Sequence, residues 1–340
     1  MKIVITGGGG FVGSHAALTY AQQGHEVVII DSLARGRLLK KDIPTHNWDR
    51  LEAVEGVTRV KGDICDFGLL KDTIAGADAI IHTAAQTAVT TSVVNPVPDF
   101  ASNAIGTFHV LEAARQQDIK TVVYASTNKV YGENVNAVPI VEEEQRYAFD
   151  KVKGITEEFS IDRCEHTPYG CSKLTGDLYA QDYGHLYGLR TGVFRMSCIY
   201  GTHQFGVEDQ GWVAWFTIAT LMNKPITIFG DGKQVRDVLY VSDLVNAYDT
   251  FIKSKVKHGV WNTGGGPSNT MSLLELLDIL EEATGKRAAM SFGDWRPSDQ
   301  KVYISDITKI GKELGWKPTV GPKQGVQKLV EWVQANKQLF

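Results

Sequence analysis

A chain of 340 residues with 43% hydrophobic and 22% charged residues has an ordinary globular composition and is long enough for one large or two intertwined domains. Its formal charge of −4 comes without a block of like charges, which argues against a nucleic-acid or anionic-membrane partner. No apolar run reaches the ~20 residues that cross a bilayer, and we find no signal peptide and no Cys-x-x-Cys pair. We therefore expect a cytoplasmic protein with free thiols and no membrane partner.

Strand and helix patterns alternate through the N-terminal half of the chain. A helical pattern covers 11–23 and is followed by Gly24, a residue type that commonly ends helices. Continuous apolar strands suit a parallel sheet covered on both faces, and their alternation with helices implies right-handed crossovers. The sequence therefore predicts an α/β fold with a Rossmann-type, doubly wound parallel sheet. Apolar, β-branched runs predict its strands at 2–6, 26–31, 57–61, 79–83 and 121–125.

The pattern changes after about residue 195. Glycine, proline and tryptophan become frequent, and helical patterns remain at 272–283 and 308–314. We interpret this part as a smaller C-terminal domain that is interleaved with the first and covers a substrate. The prediction assigns 1–195 and about 235–262 to the sheet domain, and about 196–234 and 263–340 to the smaller domain.

A glycine-rich turn joins the first predicted strand to the first predicted helix. Gly7, Gly10 and Gly13 lie at the spacing G-x-x-G-x-x-G, which lets the backbone approach a dinucleotide diphosphate while the helix N-terminus offers N–H donors. Asp31 ends the second strand, where a carboxylate accepts hydrogen bonds from ribose hydroxyls and repels a 2′-phosphate. This favours NAD over NADP, although the nearby Arg35 would offset part of the repulsion.

A tyrosine and a lysine one helical turn apart are the candidate acid–base pair. Tyr169 and Lys173 are at i and i+4, so they share a helix face. A free phenol has a pKa near ~10, and a lysine ammonium and a positively charged nicotinamide would both favour the phenolate. Tyr169 could then remove a proton from a hydroxyl as hydride leaves its carbon. The pair alone is common, but Ser126 and Thr127 follow the fifth strand, where ligands bind in open α/β sheets.

Together, these motifs resemble the extended short-chain dehydrogenase/reductase family, which contains nucleotide-sugar epimerases and dehydratases. The resemblance covers nearly the whole chain, and it implies Thr127, Tyr169 and Lys173 as the catalytic residues. It also implies that the sheet domain binds NAD and the smaller domain binds a nucleotide sugar. The implied cofactor-binding residues are Gly7, Gly10, Phe11, Val12, Asp31, Ser32, Asp63, Ile64, Ala84, Ala85, Gln86, Asn103 and Lys173. Asp63 would border the adenine, although a simple loop carboxylate is as good an interpretation.

A narrower resemblance is to members of this family that invert C2 of a CDP-linked hexose with tightly held NAD. It rests on the segments 90–92, 126–132, 168–173, 209–213 and 232–238. It implies that Arg236 and Arg296 hold the substrate diphosphate and Asp299 its ribose, although both arginines could be surface residues in turns. The implied substrate-binding residues are Thr91, Ser92, Asn128, Lys129, Gln204, Gln210, Arg236, Arg296 and Asp299. It further implies a homodimer or homotetramer, with helices at 96–117 and 169–187 as the candidate interface, and no metal.

Several chemistries share the three catalytic residues. In the family's 4,6-dehydratases an Asp-Glu pair follows the catalytic threonine, whereas Asn128 and Lys129 stand here, which disfavours elimination of water. A C4 epimerase or a net dehydrogenase of the same family stays open, as does the identity of the sugar. A non-catalytic regulator that senses NAD is a remote alternative, because such proteins commonly lose the tyrosine or the lysine and both are present here.

Overall fold

A computed structural model describes residues 1–296 and 299–340. The chain forms two compact units, each assembled from three stretches of sequence. The first unit consists of Met1–Val130, Thr167–Arg195 and Val245–Trp261, and the second of Tyr131–His166, Met196–Leu244 and Asn262–Phe340. Residues 131–166 thus lie in the second unit, whereas the sequence pattern places them in the sheet domain. The assignment of cofactor and substrate to separate domains stays a prediction.

The described residues form strands and helices throughout both units. The strands are β1 Lys2–Thr6, β2 Glu26–Asp31, β3 Val57–Lys61, β4 Ala79–His82, β5 Thr121–Thr127, β6 Ile140–Glu142, β7 Tyr147–Phe149, β8 Arg190–Met196, β9 Cys198–Tyr200, β10 Ile226–Phe229, β11 Val235–Tyr240, β12 Gly259–Thr263, β13 Thr270–Ser272, β14 Met290–Gly293 and β15 Val302–Tyr303. The α-helices are α1 Phe11–Gln22, α2 Arg35–Leu39, α3 His46–Asp49, α4 Phe67–Ile74, α5 Val89–Val94, α6 Pro96–Phe100, α7 Gly106–Gln116, α8 Thr167–Tyr187, α9 Trp212–Leu221, α10 Val241–Lys253, α11 Leu273–Thr284, α12 Thr308–Leu314 and α13 Pro322–Ala335.

A seven-stranded sheet in the order β12-β8-β5-β4-β1-β2-β3 organises the first unit. β1 pairs in parallel with both β2 and β4, so that Val4 lies between Val28 and Ile80. These apolar residues are buried because helices cover the sheet, which is why its central strands lack a polar face. The strand order reverses beside β1, the point where open α/β sheets bind ligands at their carboxyl ends. The predicted doubly wound parallel sheet is confirmed.

Two long helical stretches pack against each other on the first unit. α6 continues through a π-helical turn, Ala101–Ile105, into α7, and this stretch contacts α8 along its length. α8 in turn packs on β5, with Ala180 and Tyr183 in the hydrophobic core. The start of α8 is thereby fixed next to the carboxyl end of β5, where its first two turns carry the motif residues.

The second unit has smaller sheets. β11 pairs with β13, β15 and β9, β10 pairs in parallel with β14, and β6 pairs antiparallel with β7. α9, α11 and α13 pack together, and α11 begins with a capping box in which Ser272 and Glu275 satisfy each other's backbone N–H groups. Among the described residues, no helix is both long and apolar enough to cross a membrane.

Candidate active site

The glycine turn between β1 and α1 is shaped so that no side chain fits in it. Gly7 has a φ of 72°, and a Cβ there would lie 2.6 Å from the Ala84 nitrogen. A Cβ on Gly13 would lie 2.2 Å from the Gly7 carbonyl oxygen. The first turn of α1, with Phe11 and Val12, follows Gly10, which provides no side-chain cap for its N–H groups. An open helix N-terminus at a glycine cradle fits a dinucleotide diphosphate.

Asp31 stands next to this turn, at the end of β2. Its carboxylate accepts hydrogen bonds from the Gly9 N–H at 2.9 Å and the Leu33 N–H at 2.8 Å. Burial raises the pKa of Asp31, the backbone donors oppose that rise, and the nearby Asp63 carboxylate adds to it. Each carboxylate oxygen has a second lone pair, so Asp31 can also accept from ribose hydroxyls. Ser32 follows it at the surface.

The neighbouring loops complete the predicted cofactor site. Asp63 accepts the Cys65 N–H at 2.9 Å, and Ile64 is buried against Gly106. Ala84 and Ala85 follow β4 and are half-buried.

Gln86 and Asn103 are held by each other. The Gln86 N–H donates to Asn103 Oδ1 at 2.8 Å, and Asn103 Nδ2 donates to the Gln86 carbonyl at 3.0 Å. Both side chains are buried and bonded within the protein, and Gln86 Nε2 also donates to Asp99 at 3.0 Å. The structure therefore shows them shaping the loop after β4, and a direct cofactor contact stays a prediction.

Thr127, Tyr169 and Lys173 lie together at the carboxyl end of β5. Thr127 is 7% exposed, Tyr169 9% and Lys173 3%, and the Thr127 side chain hydrogen-bonds the Tyr169 phenol. Burial raises the pKa of Tyr169 to about 12, the Thr127 hydrogen bond lowers it, and Asp99 raises it. The phenol is therefore neutral near pH 7 unless a positive charge is brought close to it.

Lys173 is held by the strand rather than by the phenol. Its Nζ donates to the Ala125 carbonyl at 2.7 Å and lies 4.3 Å from the centre of the Tyr124 ring. Burial lowers the pKa of Lys173 to about 7, and the Asp177 and Asp99 carboxylates oppose that fall. The ammonium is thus poised to titrate near neutral pH.

The side chains of Ser126 and Ser92 form hydrogen bonds to other residues of the protein. Ser126 Oγ donates to Asp177 at 2.6 Å, so its hydroxyl points away from Thr127. Ser92, predicted to contact substrate, is fully buried and accepts the Tyr169 backbone N–H at 3.1 Å. It thereby supports the start of α8, while the adjacent Thr91 is half-buried and its role stays a prediction.

Sequence reasoning did not single out Asp177, although its buried carboxylate bonds both Ser126 and Arg195 beneath the candidate site. It is fully buried and accepts two hydrogen bonds from the Arg195 guanidinium, each at 3.0 Å. An arginine inside the apolar β8 run Arg190–Met196 is the feature that could have indicated a buried carboxylate partner.

Asn128 and Lys129 follow Thr127 and contact it, with the Lys129 N–H 3.3 Å from Thr127 Oγ1.

The remaining predicted substrate residues belong to the second unit. Arg236 forms an ion pair with Asp299 at 2.7 Å, and the Asp299 N–H donates to the Arg296 carbonyl at 3.2 Å. Arg296 lies 4.1 Å over the Phe229 ring and donates to the Glu208 carbonyl at 3.0 Å. The structure therefore brings the Arg236 and Asp299 side chains together, while Arg296 is linked to Asp299 only through the main chain.

Gln204 and Gln210 lie in the loop before α9. Gln204 Nε2 donates to the Ile199 carbonyl at 3.2 Å, and the Gln210 backbone pairs with Val207. Their predicted substrate contacts stay predictions.

Comparison with known proteins identifies the family. The sequence pattern of the NAD dependent epimerase/dehydratase family matches residues 3–264. A CDP-paratose 2-epimerase of Salmonella typhi is 40% identical over 344 aligned residues, covering 98% of this chain and 100% of that protein.

Solved structures agree with this match. The UDP-glucose 4-epimerase of Thermotoga maritima, solved with UDP-glucose, superposes with a TM-score of 0.84 at 29% identity, covering 99% of this chain and 100% of that one. The UDP-glucose 4-epimerase of Thermus thermophilus, solved with NAD, gives a TM-score of 0.80 at 28% identity with coverages of 99% and 100%. The chain therefore belongs to the NAD dependent epimerase/dehydratase family, as an epimerase-type isomerase whose cofactor is NAD.

Proposed function

We propose that the chain inverts C2 of a CDP-linked hexose, converting CDP-paratose to CDP-tyvelose, with CDP-glucose to CDP-mannose as the second substrate pair. The observation that carries this proposal is the 40% identity, over nearly the full length of both chains, to a CDP-paratose 2-epimerase. The pairing of Thr127 with Tyr169 beside β5 supports oxidation and reduction at a hydroxyl-bearing carbon.

In the proposed mechanism, Tyr169 takes the proton from the C2 hydroxyl while Thr127 holds the same oxygen. NAD, when bound, would supply a hydride acceptor and donor for C2. Inversion then requires the 2-keto sugar to turn within the site between the two transfers, so that its opposite face receives the hydride. Lys173 provides the positive charge that favours the Tyr169 phenolate. Asn128 and Lys129, the two residues after Thr127, include no carboxylate for eliminating water, so the proposal excludes dehydration.

The substrate nucleotide is proposed to bind through the second unit. Arg236 and Arg296 present guanidinium groups suited to diphosphate oxygens, and Asp299 can accept from ribose hydroxyls. In the structure Asp299 already neutralises Arg236 at 2.7 Å, so substrate would replace or share that contact. Cytosine as the base rests on the Salmonella typhi relative alone.

An exchange experiment tests the chemistry. The enzyme is incubated with CDP-paratose or CDP-glucose in deuterium oxide, and the product ring protons are examined by NMR. Hydride transfer predicts that C2 keeps its protium, because hydrogen taken as hydride never mixes with solvent. Substantial deuterium at C2 would contradict the mechanism, and faster C4 inversion of UDP-glucose would instead favour the C4 epimerase.

A variant pair assigns the base. Tyr169→Phe should lower turnover by about 10²–10⁴-fold while the NAD released on denaturation stays at the wild-type amount. Tyr187→Phe, on the exposed end of the same helix, is the matched control and should keep full activity. Near wild-type turnover in Tyr169→Phe would mean that another residue is the base. The same denaturation assay tests the proposal that NAD is tightly bound.

The proposed homodimer uses the outer face of α7 and α8. Large apolar side chains are exposed there, among them Phe108 at 38%, Leu178 at 48% and Tyr179 at 43%. The Phe108 and Tyr179 rings are in contact, with centroids 5.7 Å apart, and a cluster of exposed apolar side chains is typical of a protein–protein interface. Replacing Leu178 with Asp should convert a dimer to a monomer in sedimentation experiments, and a wild-type chain that sediments as a monomer would contradict the proposal.

The cytoplasmic location stays a prediction.

A further inference from the structure

A connection of unusual length joins β5 to α8. It consists of residues 128–166 and lies between Thr127, the last residue of β5, and Thr167, the first residue of α8. Connections between strands and helices in α/β folds usually take about 2–6 residues, and much longer ordered ones are usually functional. Most of this connection, Tyr131–His166, belongs to the second unit rather than to the sheet. Its contacts within the second unit therefore indicate what the additional length does.

Asn136, in this connection, holds the main chain beside Asp299. Its Nδ2 donates to the Asp299 carbonyl at 3.1 Å, and its Oδ1 accepts the Lys301 N–H at 3.2 Å. A parallel strand bonds the same two groups of its neighbour, a C=O and the N–H two residues on, so the Asn136 amide takes the place of a strand. Between them, the buried Gln300 donates from Nε2 to the Gly132 carbonyl at 3.0 Å. Three consecutive residues are thereby fixed by the connection.

Tyr147, further along the connection, holds the turn that precedes β11. Its hydroxyl donates to Asp231 Oδ2 at 2.5 Å, and its backbone N–H donates to the Lys233 carbonyl at 2.9 Å. Asp231 also accepts the Lys233 N–H at 2.9 Å. The Tyr147 ring is buried in a hydrophobic cluster that includes Val235 and Val302. β11 therefore starts from a turn that the connection holds in place.

The two segments held in this way carry the ion pair that is proposed to bind the substrate nucleotide. Arg236 is on β11, and its guanidinium bonds Asp299 Oδ1 at 2.7 Å. The segments also pair directly, since the Val235 N–H donates to the Lys301 carbonyl at 2.9 Å. An arginine–phosphate contact depends on the direction of the guanidinium fork, so a fixed main chain on both sides lowers the cost of ordering that fork on binding.

We propose that this connection is a scaffold for the nucleotide site, with Asn136 and Tyr147 as positioning residues that preorganise Arg236 and Asp299 for a nucleotide diphosphate. The inference rests on the proposed role of that pair in binding the substrate. Neither positioning residue has to touch the ligand, since each acts through the main chain that carries a binding residue. Their loss should therefore weaken nucleotide binding and leave the chemical step unchanged.

The test is calorimetric titration of the NAD-loaded protein with CDP and with UDP. Asn136→Ala removes both amide hydrogen bonds, and the affinity for each nucleotide that the wild type binds should fall about three- to tenfold. Tyr147→Phe removes the hydroxyl bond and should lower the affinity in the same direction. Unchanged affinity in either variant would overturn the proposal.

Asn134→Ala is the matched control. The Asn134 Nδ2 also makes two hydrogen bonds in this connection, to the Ser160 carbonyl at 3.1 Å and the Asp162 carbonyl at 2.9 Å, but neither reaches the strands that carry Arg236 and Asp299. Asn134→Ala should bind nucleotide like the wild type. A loss equal to that of the Asn136 variant would show that the connection contributes only to folding, and thermal unfolding of both variants checks that their stabilities match.

A double-mutant cycle tests the route of the effect. If Asn136 acts through Asp299, then Asn136→Ala combined with Asp299→Ala should bind CDP with the affinity of Asp299→Ala alone. A further loss in the double variant, equal to that of Asn136→Ala in the wild-type background, would contradict this route, since independent effects add.

Turnover separates this inference from the proposed function. If CDP-paratose or CDP-glucose is epimerised, Asn136→Ala should raise KM and leave kcat within about twofold of the wild type, because Thr127, Tyr169 and Lys173 are unchanged. If no nucleotide sugar is epimerised, the proposed function fails, while the titrations with CDP and UDP still decide the role of the connection. A wild-type protein that binds neither nucleotide would overturn the inference.

Discussion

The Gly13→Ala substitution adds one methyl group at the tightest point of the glycine turn. The new Cβ would lie 2.2 Å from the Gly7 carbonyl oxygen, 2.8 Å from the Gly7 carbonyl carbon and 2.9 Å from the Gly8 Cα. All three are backbone atoms, so no flexible side chain can move aside. Ordinary van der Waals contact begins near 3.4 Å, and α1 must therefore move away from the turn by about 1 Å.

The expected cost follows from that displacement. Inserting a methyl group into a packed site costs about 1–3 kcal/mol, and the diphosphate cradle is the part that must open. If the cost falls on the NAD-bound state, the affinity for NAD drops about ten- to a hundredfold. The separated helix N-terminus would also place its N–H donors too far from the phosphate oxygens.

The assay is the amount of NAD that copurifies with the protein, followed by calorimetric titration of the stripped protein with NAD. Gly68→Ala is the matched control, because its Cβ would meet only Asp66 Oδ1 at 3.6 Å in α4 of the same unit. Gly68→Ala should bind NAD like the wild type. Wild-type NAD content and affinity in Gly13→Ala would refute the reasoning that the turn cradles the diphosphate.

Two further predictions concern buried polar groups. Asp177→Asn leaves the buried Arg195 guanidinium without its carboxylate, so the free energy of unfolding in urea should fall by about 3–5 kcal/mol, whereas Asp182→Asn on the exposed side of α8 should change it little. Equal stability of the two variants would contradict the ion pair's importance. Burial lowers the pKa of His82 from 6.5 to about 3, so the unfolded chain binds a proton below pH 6.5 that the folded chain does not. Stability should therefore fall between pH 6.5 and 3 by up to about 1.4 kcal/mol per pH unit, and His82→Gln should remove that contribution when unfolding is compared at pH 7 and pH 5. Parallel pH curves for the two proteins would contradict this.

The sheet could be predicted because its strands carry their signal locally. The first three strands begin and end at the predicted residues. The first two are continuous apolar runs, as buried parallel strands are, whereas β3 at the sheet edge has the sequence VTRVK and is only partly buried. The helix Pro322–Ala335 was not predicted, although Val326, Leu329, Val330 and Val333 have helical spacing and are buried. These four residues lie at i, i+3, i+4 and i+7, which is the spacing of an amphipathic helix, so the sequence carries the signal and the prediction missed it.

The candidate site was predictable only where one motif contains it. The Tyr169–Lys173 pair follows from helical spacing, and Thr127 follows from the end of a strand. Asp177 and Arg195 lie on successive elements, α8 and β8, and only folding brings their charges together. Ser126 and Thr127 are adjacent in sequence, yet their hydroxyls have different partners because successive residues of a strand point to opposite faces.

The position of β12 at the edge of the sheet has a consequence for synthesis on the ribosome. β12 pairs with β8, but more than sixty residues separate the two in the chain, most of them belonging to the second unit. At a translation rate of about 5–20 residues per second, β8 waits several seconds with its edge unpaired. An unpaired edge strand is a template for wrong pairing between nascent chains. We therefore expect chains released before residue 259 to aggregate, so that correct assembly depends on translation reaching Gly259–Thr263.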